Sequence, residues 1–208
     1  MPATEALLAF FITSLLLALA PGPDNIFVLT QSALRGKAAG LAVTMGLCTG
    51  LIVHTSAVAL GLAAIFAASS LAFTVLKLCG AAYLLWLAWQ AFRTSATEIT
   101  AVAGDQLTGW QLYRRGILMN ITNPKVSIFF LAFLPQFADP ARGSLTLQML
   151  LLGGLFILAT IVVFGGIALV SGMLGNWLSR SPAVQRLMNR LTGAIFVALA
   201  LRLVLSPR

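Results

Sequence analysis

Charge is what this sequence has least of. Only 9% of its 208 residues are Asp, Glu, Lys or Arg, and just 5 are acidic. A soluble globular domain carries roughly a quarter charged residues, so an ordinary water-soluble enzyme is excluded. Histidine occurs once and cysteine twice, as Cys48 and Cys79, both inside apolar runs. That is too little for a disulfide framework or for a cage of converging metal ligands. The two cysteines read as small hydrophobes, and nothing calls for a cofactor or a bound metal. No basic face with interleaved aromatics exists either, so the net charge of +8 does not point to nucleic acid.

What the chain has in abundance is hydrocarbon: 60% hydrophobic residues and a mean hydropathy of +0.99. A helix needs roughly 20 mostly apolar residues to cross a bilayer. Such runs cover residues 6–34, 38–66, 71–92, 116–137, 145–170 and 187–205. The expectation is an all-α membrane protein of six transmembrane helices, its natural partner the lipid bilayer. The first run follows Glu5 and leads into Pro21-Gly22-Pro23. It therefore reads as a span and not as a cleavable leader, which would carry basic residues before it and a small-residue cleavage site after it.

Residues 93–111, with Glu98, Gly104 and Asp105, form the one polar stretch long enough to link two halves. The expected organisation is a single transmembrane domain over 1–208, with three-helix repeats at 1–92 and 116–208 and a connecting loop at 93–115. Lys77-Leu78-Cys79-Gly80-Ala81-Ala82-Tyr83 and Arg190-Leu191-Thr192-Gly193-Ala194-Ile195-Phe196 place basic, Leu, Gly, Ala and aromatic residues in register. An odd number of spans per half makes the second copy inverted. One face then receives Arg35, Lys37, Arg93, Arg114, Arg115, Arg180, Arg186 and Arg190; the other receives Lys77, Arg142, Arg202 and Arg208. The richer face is expected in the cytoplasm, with both termini outside. Glycines at 36, 40, 46 and 50, and the pairs Gly153-Gly154 and Gly165-Gly166, allow close helix packing. Packing within one chain is favoured over a dedicated dimer motif, and homo-oligomerisation stays open.

Two runs are interrupted at matching places. The first breaks at Pro21, Gly22 and Pro23 and plants Asp24 and Asn25 there; the fourth breaks at Asn123-Pro124 and carries Lys125. Proline removes an amide donor and frees carbonyls in the preceding turn. In a membrane such groups persist only within protein or beside a wet cavity. Paired broken helices are the sequence pointer to a transporter's central site.

A charge at mid-membrane costs about 2.5–3.5 kcal/mol on insertion scales, so Asp24 and Lys125 belong inside the bundle. One reading is a buried ion pair that pins the halves together. The other is a cavity flanked by both charges, with Lys125 meeting a carboxylate and Asp24 an ammonium. Asn25 and Asn123 serve either substrate or the freed carbonyls, while Asn120 reads as a brace. Gln31, Thr44 and Thr49 are weaker candidates. His54 lies near the centre of the second run. Histidine is the side chain that ordinarily titrates closest to neutral pH, so His54 and Asp24 are the proton-coupling candidates.

Several motifs carry a resemblance. Ala20-Pro21-Gly22-Pro23-Asp24-Asn25, Val53-His54 and Gly80-Ala81-Ala82-Tyr83-Leu84 are three of them. Arg114-Arg115-Gly116, Asn120-Ile121-Thr122-Asn123-Pro124-Lys125 and Phe133-Leu134-Pro135-Gln136-Phe137 complete the set. In order and spacing they resemble the LysE/RhtB family of amino-acid exporters over essentially the whole chain, nearer its homoserine/threonine branch. The resemblance implies no enzyme. It implies export of amino acids or close derivatives across the bacterial inner membrane, coupled to protons. A divalent-metal transporter is an alternative, but one Asp, one His and an intruding Lys make a poor cage. A membrane thiol–disulfide carrier is another, but neither broken run contains a cysteine.

Overall fold

A computed structural model describes residues 1–68, 70–93, 107–180 and 182–205. Within them the chain is helical, with no strand: α1 (Thr4–Leu19), α2 (Pro23–Arg35), α3 (Lys37–Ala68), α4 (Ser70–Arg93), α5 (Gly109–Ile121), α6 (Pro124–Ile128), α7 (Leu145–Arg180) and α8 (Pro182–Leu205). Four helices (α3, α4, α7 and α8) contain stretches long and apolar enough to cross a membrane. Two bent pairs bring the number to six, α1 with α2 at 62° and α5 with the segment after Pro124 at 49°. The broken spans expected from the prolines are therefore present. Glu98, Gly104, Asp105 and Arg208 lie outside the described residues, as does the side chain of Arg180.

The fourth span begins earlier than hydropathy alone suggests. Thr108 caps α5 by accepting from the Gln111 amide, and the Gln111 side chain accepts from the Thr108 amide in return. This reciprocal box satisfies two otherwise unpaired amides, which favours a helix start here although the first turns are polar. Arg114 and Arg115 thus lie within a helix. The far end of the same span is also irregular. After one α-turn in α6, Phe129–Phe133 widens to a π-turn and Leu134–Phe137 tightens to a 3-10 turn.

Packing follows the small residues. α3 lies against both α5 and α7, α4 against α8, and α1 and α2 against α7. At the α3–α5 crossing the backbones touch: a methyl added at Gly46 would stand 2.1 Å from the Tyr113 carbonyl, and one at Gly116 2.4 Å from that of Val43. Gly40 receives Ser32, Gly50 receives Asn120, and Gly153 receives Thr55. These glycines serve packing within the chain. Nothing stands within 4 Å of a methyl added at Gly154, Gly165 or Gly166.

Two apolar clusters divide α3 between them, Val43 and Leu47 in one, Leu51 and Val58 in the other. The second is built on the rings of Phe10, Phe129, Phe130, Phe133, Phe137 and Phe156, which meet tilted or edge to face. Gly50 and its neighbour Asn120 fall at the join, level with the second break.

The two faces of the bundle are marked by contacts. The Met1 ammonium donates to the Arg142 carbonyl, and the Arg202 guanidinium lies 4.4 Å from the Phe137 ring centroid. The N-terminus, the connection after Phe137 and the end of α8 therefore share one face. At the other, Arg35 Nη1 donates to the Leu107 carbonyl at 3.2 Å, holding the end of α2 beside the start of α5.

Candidate functional site

α2 starts with Gly22 as its cap and Pro23 at its first position. Proline suits that place because the missing amide would be unpaired anyway. Asp24 follows in the first turn, where the helix dipole favours a carboxylate. α6 starts in the same way, with Asn123 as cap and Pro124 at the first position, but the residue that follows is a lysine.

One amide joins the two starts. Asn123 Oδ1 accepts from the Lys125 backbone amide at 3.0 Å, and Asn123 Nδ2 donates to Asp24 Oδ2 at 2.9 Å. Lys125 reaches the other way: its Nζ donates to the Ala20 carbonyl at 3.3 Å. Asp24 is 3% exposed and Lys125 9%. The helix dipole explains the crossing. An ammonium is disfavoured at the start of its own helix and favoured at the C-terminal end of α1, where Ala20 lies. Asp24 and Lys125 are near enough to attract each other. They make no direct ion pair; among the described residues the salt bridge seen is Arg142–Asp139.

Side chains reach carbonyls beside both breaks, and the Asn120 carbonyl also accepts from the Asn123 backbone amide at 3.0 Å. Asn25 Nδ2 donates to the Ala18 carbonyl at 2.7 Å. His54 Nε2 lies 3.1 Å from the Asn120 carbonyl, and since a carbonyl only accepts, that nitrogen carries the hydrogen. The imidazole rests beside the Phe130 ring, 5.6 Å between centroids. Several buried oxygens have no partner: Asp24 Oδ1, Asn25 Oδ1, Asn120 Oδ1 and Gln31 Oε1. Each such oxygen costs about 1–3 kcal/mol when kept from water without a hydrogen bond. Those of Asp24, Asn25 and Asn120 stand beside the breaks and suit a site that meets donors on a solute, while Gln31 Oε1 and Ser32 Oγ lie further along α2.

The sequence candidates therefore assemble unevenly. Asp24, Asn123 and Lys125 come together across the breaks, with Gly22 alongside: a methyl there would stand 3.2 Å from Lys125 Nζ. Asn25, His54 and Asn120 surround them through backbone carbonyls. Thr44 bonds the Gly40 carbonyl of its own helix, and Thr49 pairs with the Tyr113 hydroxyl at 2.9 Å. Cys48 on α3 is buried and Cys79 on α4 exposed, and both are free thiols. Among the described residues no three of His, Cys, Asp and Glu converge. What sequence reasoning misses is the role of main-chain groups, above all the Ala20 carbonyl. Two prolines just beyond it signal a disrupted turn but not which side chain comes to its carbonyl.

Chemically, the centre offers an acceptor and a donor of opposite charge. The free oxygen of Asp24 can accept from an ammonium. Lys125 has three donors, of which Ala20 takes one.

The model of the LysE type translocator family matches residues 15–207. A homoserine/homoserine lactone efflux protein of Salmonella typhimurium is 37% identical over 190 residues, 91% of each chain. A membrane protein of Vibrio cholerae is 35% identical over 190 residues, 91% of this chain and 92% of its own. A leucine efflux protein of an Enterobacter strain is 27% identical over 196 residues, 94% of this chain and 90% of its own. No solved structure matches the chain. With broken spans at both proline motifs and a profile match from the first span to the last, this multi-pass membrane protein belongs to the LysE type translocator family.

Proposed function

We propose that the chain is a secondary exporter of small neutral amino acids or their derivatives, with homoserine, its lactone, threonine and leucine as the chemical range. The observation that carries this reading is the crossing at the breaks. Asp24 and Lys125 arise from different spans, sit buried within one hydrogen-bonded group, and are not spent on each other. The solute's ammonium binds Asp24 Oδ1 and its carboxylate binds Lys125 Nζ, with Asn25 and Asn123 shaping the ends. The names of the Salmonella and Enterobacter relatives support the substrate class.

Transport proceeds by alternating exposure of that centre. Two three-helix halves, 1–92 and 116–208, rock against each other in inverted orientation. The aligned Gly80 and Gly193 both lie in the α4–α8 contact, with Ala132 and Leu203 against the first and Phe92 against the second. Proton uptake on Asp24 weakens the hold on the ammonium and biases the equilibrium by differential affinity. His54 is the second coupling candidate. The protein sits in the bacterial inner membrane with the Arg35–Leu107 face in the cytoplasm and both termini outside, as the basic residues favour. One chain supplies every group of the site, so the reading does not depend on self-association.

The test is uptake into inverted membrane vesicles, using a panel of labelled amino acids with and without an imposed pH gradient. Gradient-dependent accumulation of a neutral amino acid is expected. Accumulation of a divalent metal ion instead, or of nothing, would refute the reading.

A further inference from the structure

Between the cytoplasmic face assigned above and the breaks, α2 and α5 both lie along α3 yet meet each other only narrowly. Where they approach, Val28 of α2 and Leu112 of α5 share an apolar cluster with Phe27 and Leu107 packed against it, and basic side chains flank that cluster. The Arg115 guanidinium lies 4.9 Å from the Phe27 ring centroid, and Arg35 donates to the Leu107 carbonyl. Phe27, Gln31 and Arg35 recur at four-residue spacing, so they form one stripe on α2. Gln31 lies on that stripe between the Phe27–Arg115 and Arg35–Leu107 contacts. The stripe continues to Asp24, about 10 Å below Gln31 at the helical rise per residue. On the opposite wall the chain runs from Arg115 down to Asn123.

Two groups on this path are unspent. Gln31 is 8% exposed, and its Oε1 has no partner. Arg115 is exposed, and among the described residues no carboxylate pairs with it. A guanidinium presents a planar fork that fits a carboxylate with two parallel bonds. An amide oxygen accepts from an ammonium. Phe27 holds the guanidinium over its face and offers an apolar floor beside Gln31.

We propose that Arg115, Phe27 and Gln31 form an entry subsite for zwitterionic amino acids, one stage before the Asp24–Lys125 centre. This rests on the exporter reading and extends it: the solute is held by its carboxylate at Arg115 and by its ammonium at Gln31 Oε1. It then passes down the α2–α5 seam to groups of the same two chemistries. A specific consequence follows. A substrate without a free carboxylate, such as homoserine lactone, gains nothing from Arg115.

The experiment measures initial uptake of labelled homoserine and labelled homoserine lactone into inverted vesicles. Arg115→Ala is expected to raise the apparent KM for homoserine about tenfold with Vmax retained, and to leave the lactone within about twofold. Arg115→Lys, which keeps charge but loses the fork, should fall between. Gln31→Leu should raise KM for both solutes, since both keep the amine. Should Gln31→Leu fail to reach the membrane, Phe27→Ala provides the same reading through the lost floor. Unchanged KM values in Arg115→Ala and Gln31→Leu would overturn the subsite while wild-type uptake upholds the exporter. Equal shifts for homoserine and lactone in Arg115→Ala would also overturn it. No uptake of either solute by the wild type would overturn the subsite as an entry for homoserine, and the exporter reading itself falls if no other neutral amino acid accumulates.

Discussion

The two helix breaks share a plan and differ in how they are finished. At the first, Gly22 caps α2 with no side chain, the chain turns by 62°, and a regular 13-residue helix follows. At the second, Asn123 caps α6 with its own amide, the turn is 49°, and the helix lasts 5 residues before widening into a π-turn. The difference shows which break hosts the charges. Asp24 is stabilised by the start of its own helix, α2. Lys125 stands at the start of α6, where a cation is disfavoured, and is stabilised by the end of α1 instead. The first break therefore accommodates both charges, and the second contributes the lysine and the amide that spans the gap. Gly22 lacks a side chain for the same reason: that space belongs to the lysine head.

Removing the group that crosses the gap has the largest expected effect. Lys125→Ala should lower export by at least about 100-fold, equivalent to about 2.7 kcal/mol on the transport barrier, while the protein still inserts. Uptake by inverted vesicles, normalised to protein in the membrane, measures this. Asp24→Asn keeps shape and the bond from Asn123 but removes the charge. Export should fall by about tenfold or more, and what remains should lose its dependence on the pH gradient.

The spanning amide can be tested by separating its two duties. Aspartate caps a helix about as well as asparagine, so Asn123→Asp should leave the thermal midpoint within a few degrees. Its carboxylate would face Asp24 in place of a donor, and transport should drop sharply. Asn123→Ala loses both duties and should cost about 1–3 kcal/mol of stability as well. Retention of both transport and stability in Asn123→Asp would mean that the amide only caps.

Gly22→Ala sharpens the comparison at lower amplitude. The residue has φ −168°, an extended conformation open to any amino acid, so no backbone strain arises. The added methyl pushes on the flexible end of Lys125. A rise in KM of about threefold, roughly 0.7 kcal/mol, with unchanged stability is the expected signature. The smallest effect belongs to His54→Ala, which removes one donor from the Asn120 carbonyl. A stability loss of about 1 kcal/mol is expected, with the pH dependence of export retained. Loss of that dependence would move proton coupling from Asp24 to the imidazole.

Much of this arrangement can be read from residues. Proline at matching places predicts both bends, and the opposite charges beside them predict a shared centre. The Thr108–Gln111 pair is also visible in the sequence, but only when polarity is set aside and capping chemistry is considered. Other features are less local. The π-turn at Phe129–Phe133 stands just before Pro135, which lacks an amide donor, but the rings it packs against, Phe10 and Phe156, lie far away in the chain. The course of Lys125 to Ala20, past a nearby carboxylate, depends on where α1 ends in space. Phe27, Gln31 and Arg35 announce a face by their spacing, yet not that α5 lies across from it. Glycine spacing has the same ambiguity: Gly46 and Gly153 meet their own chain, while Gly154, next to one of them, meets nothing within 4 Å.

The most direct measurement is equilibrium binding of homoserine to the purified protein and to its Asp24→Asn and Lys125→Ala variants, with folding followed in parallel by thermal melting. A centre built from both breaks requires each variant to bind at least about tenfold more weakly than wild type while melting cooperatively. Wild-type affinity in either folded variant would contradict it.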